Sequence, residues 1–130
     1  MTPNIKGNIA ELAIALDCSK KGYQVSIPFG ENAPYDLIVG IQKKLIRVQV
    51  KYLTMRKNGT ISVPSTSTTG VKYTSDNIDY IAAYCPTNDS IYWINVDELA
   101  HSSIALRIEE SKNNQAKNVR WAKDYINMRD

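Results

Sequence analysis

Asp36-Leu37-Ile38-Val39-Gly40-Ile41-Gln42-Lys43-Lys44-Leu45-Ile46-Arg47-Val48-Gln49-Val50-Lys51-Tyr52 contains two short apolar stretches around a polar pair. Residues 36–41 and 45–52 predict two strands, and in the second the alternation is plain. Ile46, Val48 and Val50 face one way, while Arg47, Gln49 and Lys51 face the other. Gln49 and Lys51 therefore share a face, about 7 Å apart along the strand. A two-residue turn at Gln42-Lys43 pairs Ile41 with Lys44, so partners have numbers that add to 85. That register sets Asp36 opposite Gln49 on the same face, with roughly 5 Å between Cβ atoms. A turn one residue longer, without a bulge, turns them apart.

Outward from this hairpin, residues 4–21 predict a helix with Asn4 as its cap, Ile5, Ile9, Leu12 and Leu16 as its stripe, and an end near Gly22. From Ile9 to Leu16 the helix is apolar all round except at Glu11, so most of it is expected to be packed. An unpaired buried carboxylate is costly. Glu11 thus either has a positive partner, a metal ion or Lys51, or lies at the rim of the stripe and reaches water. Residues 23–28 predict a strand, giving a helix followed by an antiparallel meander. Asn58-Gly59 predicts a second hairpin over Met55 to Val63, or an extension of the sheet beyond Tyr52. Pro64 to Gly70 is small and polar, either a mobile loop or a surface whose hydroxyls and amides contact phosphates.

The second half predicts buried strands at Tyr80 to Cys85 and Ile91 to Asn95, a helical turn at Asp97 to Leu99 and a short edge strand at Ile104 to Ile108. A polar loop is expected at Lys112 to Asn118, then an amphipathic helix at Val119 to Met128 that is a candidate for assembly contacts. At 130 residues, 43% hydrophobic and without an interdomain linker, the chain is expected to form one domain over residues 1–130. No signal peptide and no hydrophobic run near 18 residues is present, so a cytoplasmic protein with reduced Cys18 and Cys85 is expected.

Net charge is only +3, but residues 37–75 contain no acid. They carry Lys43, Lys44, Arg47, Lys51, Arg56, Lys57 and Lys72, a local +7 that leaves −4 for the rest. Because this run surrounds Asp36 and Gln49, it reads as a surface for a polyanion, with nucleic acid the obvious one. Lys43, Lys44, Arg47, Arg56, Lys57, Lys72 and Tyr73 are its candidate DNA contacts.

Hydrolysing a phosphodiester takes a positioned water, neutralisation of charge on phosphorus and help for the leaving oxygen, all of which Mg²⁺ can supply. Mg²⁺ favours hard oxygen ligands and keeps several waters. Glu11 and Asp36 offer carboxylates, Gln49 a side-chain carbonyl and Val50 its backbone carbonyl, while Lys51 is placed to orient water and steady developing charge. The single histidine, His101, lies beyond the second strand pair, and the cysteines lack zinc-ligand spacing. Asp76 and Asp79 are better suited to turn or cap roles than to the site.

The order Glu11, Pro34-Tyr35-Asp36, Gln49-Val50-Lys51 resembles the PD-(D/E)xK nuclease superfamily. With the later strands at 79–84 and 91–94, the chain looks most like the group I intron-encoded homing endonucleases of that fold. Two letters depart from the motif. Tyr35 stands between Pro34 and Asp36, and Gln49 replaces an acid, removing one negative charge. The resemblance implies an α/β, restriction-endonuclease-like mixed sheet flanked by helices, and a Mg²⁺-dependent (or Mn²⁺-dependent) sequence-specific endonuclease of double-stranded DNA. It implies a homo-oligomer, dimer or tetramer. A Holliday-junction resolvase and a noncatalytic DNA-binding module are the alternatives.

Overall fold

The computed structural model describes residues 1–110 and 118–128. Helix α1 runs from Pro3 to Lys20. Its cap is Thr2 rather than Asn4, the Thr2 Oγ1 accepting from the Ile5 amide at 3.2 Å. Pro3 explains the earlier start, since its ring fixes φ for the first helical turn and the amide it lacks would be unpaired there. Gly22, at φ 82°, turns the chain out of the helix.

Strands β1 (Gln24–Ser26), β2 (Leu37–Ile41) and β3 (Lys44–Tyr52) form the expected meander. Ile41 pairs with Lys44 and Leu37 with Val48, the register whose numbers add to 85. Gln42 takes φ 57° in the turn, the left-handed geometry that lets a two-residue loop follow the twist of its strands. Strand β4 (Thr60–Val63) leaves this sheet, and β5 (Tyr80–Cys85) returns to lie parallel to β3, with Gln49 opposite Ile81. Strand β6 (Ser90–Asn95) closes a five-stranded mixed sheet of order β1-β2-β3-β5-β6.

A second sheet of order β4-β7-β8 is built from β4, β7 (Ile104–Arg107) and β8 (Arg120–Trp121). This corrects three expectations. The Asn58-Gly59 turn forms, with Gly59 at φ 81°, but β4 pairs with β7 instead of folding back on Met55. Strand β7 lies between β4 and β8 and is therefore no edge. Residues 119–128 form no α-helix: β8 leads into a 3-10 turn at Ala122–Tyr125, because the strand pairing of Arg120 and Trp121 with β7 takes up the start of the segment. The helical turn expected at Asp97 to Leu99 is a 3-10 turn, Val96–Leu99. Most of the expected Lys112 to Asn118 loop lies outside the described residues.

The main sheet is covered on both faces. On one, Ala10, Ile14 and Cys18 of α1 meet Val39, Val48, Val50, Ala82 and Trp93. On the other, Ile61, Val63 and Leu106 of the second sheet meet Ile81, Ala83 and Ile94. Strand β5 alternates between the two cores, which is why its sequence is apolar throughout. Cys18 and Cys85 are both free, and each belongs to a different core. The helix stripe is the other correction: Leu12 and Leu16 are exposed, and the buried line is Ala10, Ile14 and Cys18. Among the described residues no helix is long and apolar enough to cross a membrane.

Candidate active site

Asp36 is fixed where β2 begins. Its amide donates to the Val48 carbonyl at 2.9 Å, and its Oδ2 accepts from the Val50 amide at 2.9 Å and from Gln49 Nε2 at 3.0 Å. The carboxylate thus continues the β2–β3 ladder in place of backbone and lies near the plane of the sheet. Val48 and Val50 face α1, so Gln49 and Lys51 come from the opposite face. With Gln49 donating its amide nitrogen to Asp36, its carbonyl oxygen is free to face a ligand.

Burial is the main cause that raises the Asp36 carboxyl above its ordinary value, outweighing the Val50 amide and the Lys51 charge, which both pull it down. Glu11, carried by α1, is also raised, first by burial and then by repulsion from Asp36. The helix therefore brings Glu11 within electrostatic reach of Asp36, and two carboxylates that resist ionisation face one another's field.

Asp36, Gln49 and Lys51 line a cleft of about 520 Å³ whose other wall is the chain from Ser67 to Tyr73. That wall is folded back on itself, Ser67 donating to the Val71 carbonyl at 2.8 Å and Thr66 bridging to Lys72. Ser67, Thr68 and Thr69 line the cleft, the Ser67 and Thr69 hydroxyls bonded to each other at 3.0 Å, which places the segment expected as either loop or phosphate surface beside the site. Tyr73, nearly buried, lies behind Lys51, with the Lys51 Nζ 5.2 Å from its ring centroid. Its ring orients the lysine by cation–π attraction. Glu31 and Asn77 also line the cleft, and no pattern in the sequence singles them out.

The other basic residues are dispersed. Lys43 and Lys44 are exposed at the hairpin turn, five residues or about 16 Å along β3 from Gln49. Arg56 and Lys57 are exposed in the turn before β4. Lys72 lines the cleft and donates to the Leu99 carbonyl. The Arg47 guanidinium is held within the protein: Nε and Nη2 reach Asp79 at 3.1 and 3.0 Å, while Nη1 and Nη2 reach the Asp76 and Ser75 carbonyls at 2.8 and 2.7 Å. Arg47 fastens β3 to the turn ahead of β5.

The donors around Asp36 are hard oxygens, the chemistry that suits Mg²⁺ and not a soft metal. No cluster of three or more acidic, histidine or cysteine ligands occurs among the described residues. Within the cleft the oxygens suited to a cation are those of Asp36 and the Gln49 amide, while Glu11 does not line it and lies within electrostatic reach of Asp36; a divalent charge would relieve both raised carboxyls.

An N-terminal helix packed on a mixed sheet, with an acid and a lysine meeting at the β2–β3 junction, defines a restriction-endonuclease-like fold. The PD-(D/E)XK endonuclease family profile matches residues 1–128, and this chain belongs to that family. Among solved structures, the bacterial homing endonuclease I-Ssp6803I superposes with a TM-score of 0.76 at 24% identity, covering 96% of this chain and 88% of that one. A Holliday junction resolvase, Hjc of Archaeoglobus fulgidus, gives a TM-score of 0.49 at 15% identity, over 78% of this chain and 84% of its own. No curated protein sequence matches.

Proposed function

We propose that the protein is a Mg²⁺-dependent endonuclease that cuts both strands of double-stranded DNA at a specific sequence, in the manner of a homing endonuclease. The observation that carries this reading is the Asp36 carboxylate pinned by Gln49 and Val50 in a cleft that also holds Lys51. Membership of an endonuclease family and the likeness in fold to a homing endonuclease support it.

Glu11, Asp36, the Gln49 carbonyl and the Val50 carbonyl are the oxygens that would hold Mg²⁺, with Mn²⁺ as a substitute. When bound, the ion supplies an activated water and neutralises charge on the phosphate. Asp36 is kept in one orientation by its two hydrogen bonds, so no side-chain freedom has to be lost on binding. Lys51, steadied by Tyr73, places a positive charge in the cleft where the phosphate gains negative charge, and it can orient the attacking water. The hydroxyls of Ser67, Thr68 and Thr69, with Lys72, position the DNA backbone. Lys43, Lys44, Arg56 and Lys57 extend the attraction along the duplex. One chain supplies one such cleft, so cutting two strands calls for a homo-oligomer.

Incubation with Mg²⁺ and two labelled substrates, a linear duplex library and a four-way junction, tests the reading. Double-strand cleavage of a defined subset of the library is expected. Cleavage of the junction alone would assign a Holliday-junction resolvase, and binding without cleavage under any divalent ion would leave a noncatalytic DNA-binding module.

The carboxyl shifts give a second test. In the absence of metal, native Glu11 and Asp36 hold their protons more tightly than the unfolded chain does. Their effect on stability therefore becomes unfavourable as pH rises above the ordinary values of 4.5 and 3.8 towards the native ones. Mg²⁺ binds the ionised pair. Thermal unfolding with and without Mg²⁺ should show a larger metal-induced rise in Tm at pH 8 than at pH 5, and an equal rise at both would contradict this.

A further inference from the structure

Ile5, Ile9, Leu12 and Leu16 recur at the four-three-four spacing of a coiled-coil seam. The seam points away from the protein. At about 100° per residue it lies roughly opposite the buried line of Ala10, Ile14 and Cys18. Leu12 is 71% exposed, Leu16 57% and Ile5 48%. These side chains leave roughly 300 Å² of contiguous apolar surface, an extent that often marks an interaction site.

We propose that this face of α1 is where two copies of the chain pair, antiparallel, about a two-fold axis that crosses the stripe at the height midway between residues 10 and 11. The stripe is its own reverse image. Ile5 meets Leu16 and Ile9 meets Leu12 of the other copy, by numbers that add to 21, and this self-complementarity is what an isologous contact requires. The charges also fit. Lys6 and Asp17 lie on one flank of the stripe, where Lys6 stands over the Tyr52 ring and Asp17 pairs with Lys21 at 3.1 Å, and the antiparallel register brings Lys6 of each copy towards this Asp17–Lys21 pair of the other. The flank on the Glu11 side carries Asn8 and Ala15, which are uncharged and allow the helices to approach closely. Two such stripes bury roughly 600 Å², about half of the ~1,200 Å² at the lower bound of stable interfaces, before the flanking side chains are added.

The pairing has a consequence for the site, which rests on the nuclease reading above. Glu11 lies close to the height of the two-fold axis, so the two copies of Glu11 stand at nearly the same height along a helix pair whose axes are about 8–10 Å apart. By symmetry the pair carries two Asp36 clefts, one from each chain, the number that cutting both strands of a duplex requires.

Sedimentation at micromolar concentration should show the wild type as a dimer or a multiple of one. Leu12→Lys, at an exposed position, should retain the wild-type circular dichroism, lose from its Tm only what assembly contributed, and weaken assembly at least 100-fold. Ile5→Cys with Leu16→Cys should give a covalent dimer on oxidation. Within one helix those positions are about 16 Å apart, too far to bridge. A monomeric wild type, assembly unchanged by Leu12→Lys, or no covalent dimer would overturn the pairing. On supercoiled plasmid with Mg²⁺, Leu12→Lys should still nick but produce linear DNA at least 10-fold more slowly than the wild type; equal rates of linear product would overturn the two-centre arrangement. If no form cleaves, the nuclease reading fails, while sedimentation and cross-linking still decide the pairing.

Discussion

Replacing Asp36 by Asn is expected to lower DNA cleavage about 1,000-fold and to leave duplex binding nearly unchanged. The amide is close to isosteric, and its oxygen can still accept from the Val50 amide that now holds the carboxylate at 2.9 Å. The β2–β3 junction should therefore keep its shape. What is lost is one of the two negative charges of the site, the other being Glu11, and with it most of the attraction for a divalent cation. Under the proposed function binding should survive, because it would draw on the dispersed lysines and Arg56 rather than on Asp36, which would repel DNA. Gel-shift and cleavage assays on one duplex separate the two effects. Retained cleavage would remove Asp36 from the site.

Arg47→Ala should destabilise the fold by about 2 kcal/mol, the largest effect expected from an exposed-to-intermediate position, read from chemical denaturation. Four hydrogen bonds leave the guanidinium, two to Asp79 and two to backbone carbonyls. The figure is kept well below that of a buried ion pair because the Arg47 and Asp79 side chains are 30% and 36% exposed, so solvent screens them. The Arg47 side chain also holds the Asp79 carboxyl below its ordinary value of 3.8. A depressed native value contributes stability that is present above 3.8 and lost as pH falls towards the native value. This acid-side loss should shrink in Arg47→Ala. It lies on the other side of the ordinary value from the effect of Glu11 and Asp36. DNA affinity should fall little beyond what the weakened fold explains, since the guanidinium is already engaged within the protein.

The β2–β3 hairpin was legible because a two-residue turn leaves a single register, and that register carries Asp36 to Gln49. Local spacing also sufficed for the existence of α1, β5 and β6. It could not say which face of α1 is buried. The helix is apolar on two opposite sides, and the line with the larger side chains, Ile5 to Leu16, is the exposed one. The pairing of β4 with β7 joins segments more than 40 residues apart, and the turn at Asn58-Gly59 carries no signal of it. In the site, the roles of Arg47 and Tyr73 were hidden for the same reason. A basic residue and an aromatic in an acid-free stretch read as DNA contacts, but Asp79 is 32 residues from Arg47, and Tyr73 packs behind Lys51 only once the chain from Ser65 to Tyr73 has folded over β3.

The unusual letter at 49 acquires a specific role from this geometry. An acid there would place a further carboxylate against Asp36 and tighten cation binding, whereas Gln49 donates to Asp36 and, in the proposed site, would offer only a neutral oxygen. Titration of Mn²⁺ into the DNA-free protein, followed by electron paramagnetic resonance, measures this directly. The wild type should bind the ion with modest affinity, Asp36→Asn should weaken it at least 10-fold, and Gln49→Glu should tighten it by a similar factor. Equal Mn²⁺ affinity in the wild type and Asp36→Asn would contradict a cation site built on Asp36, Glu11 and Gln49.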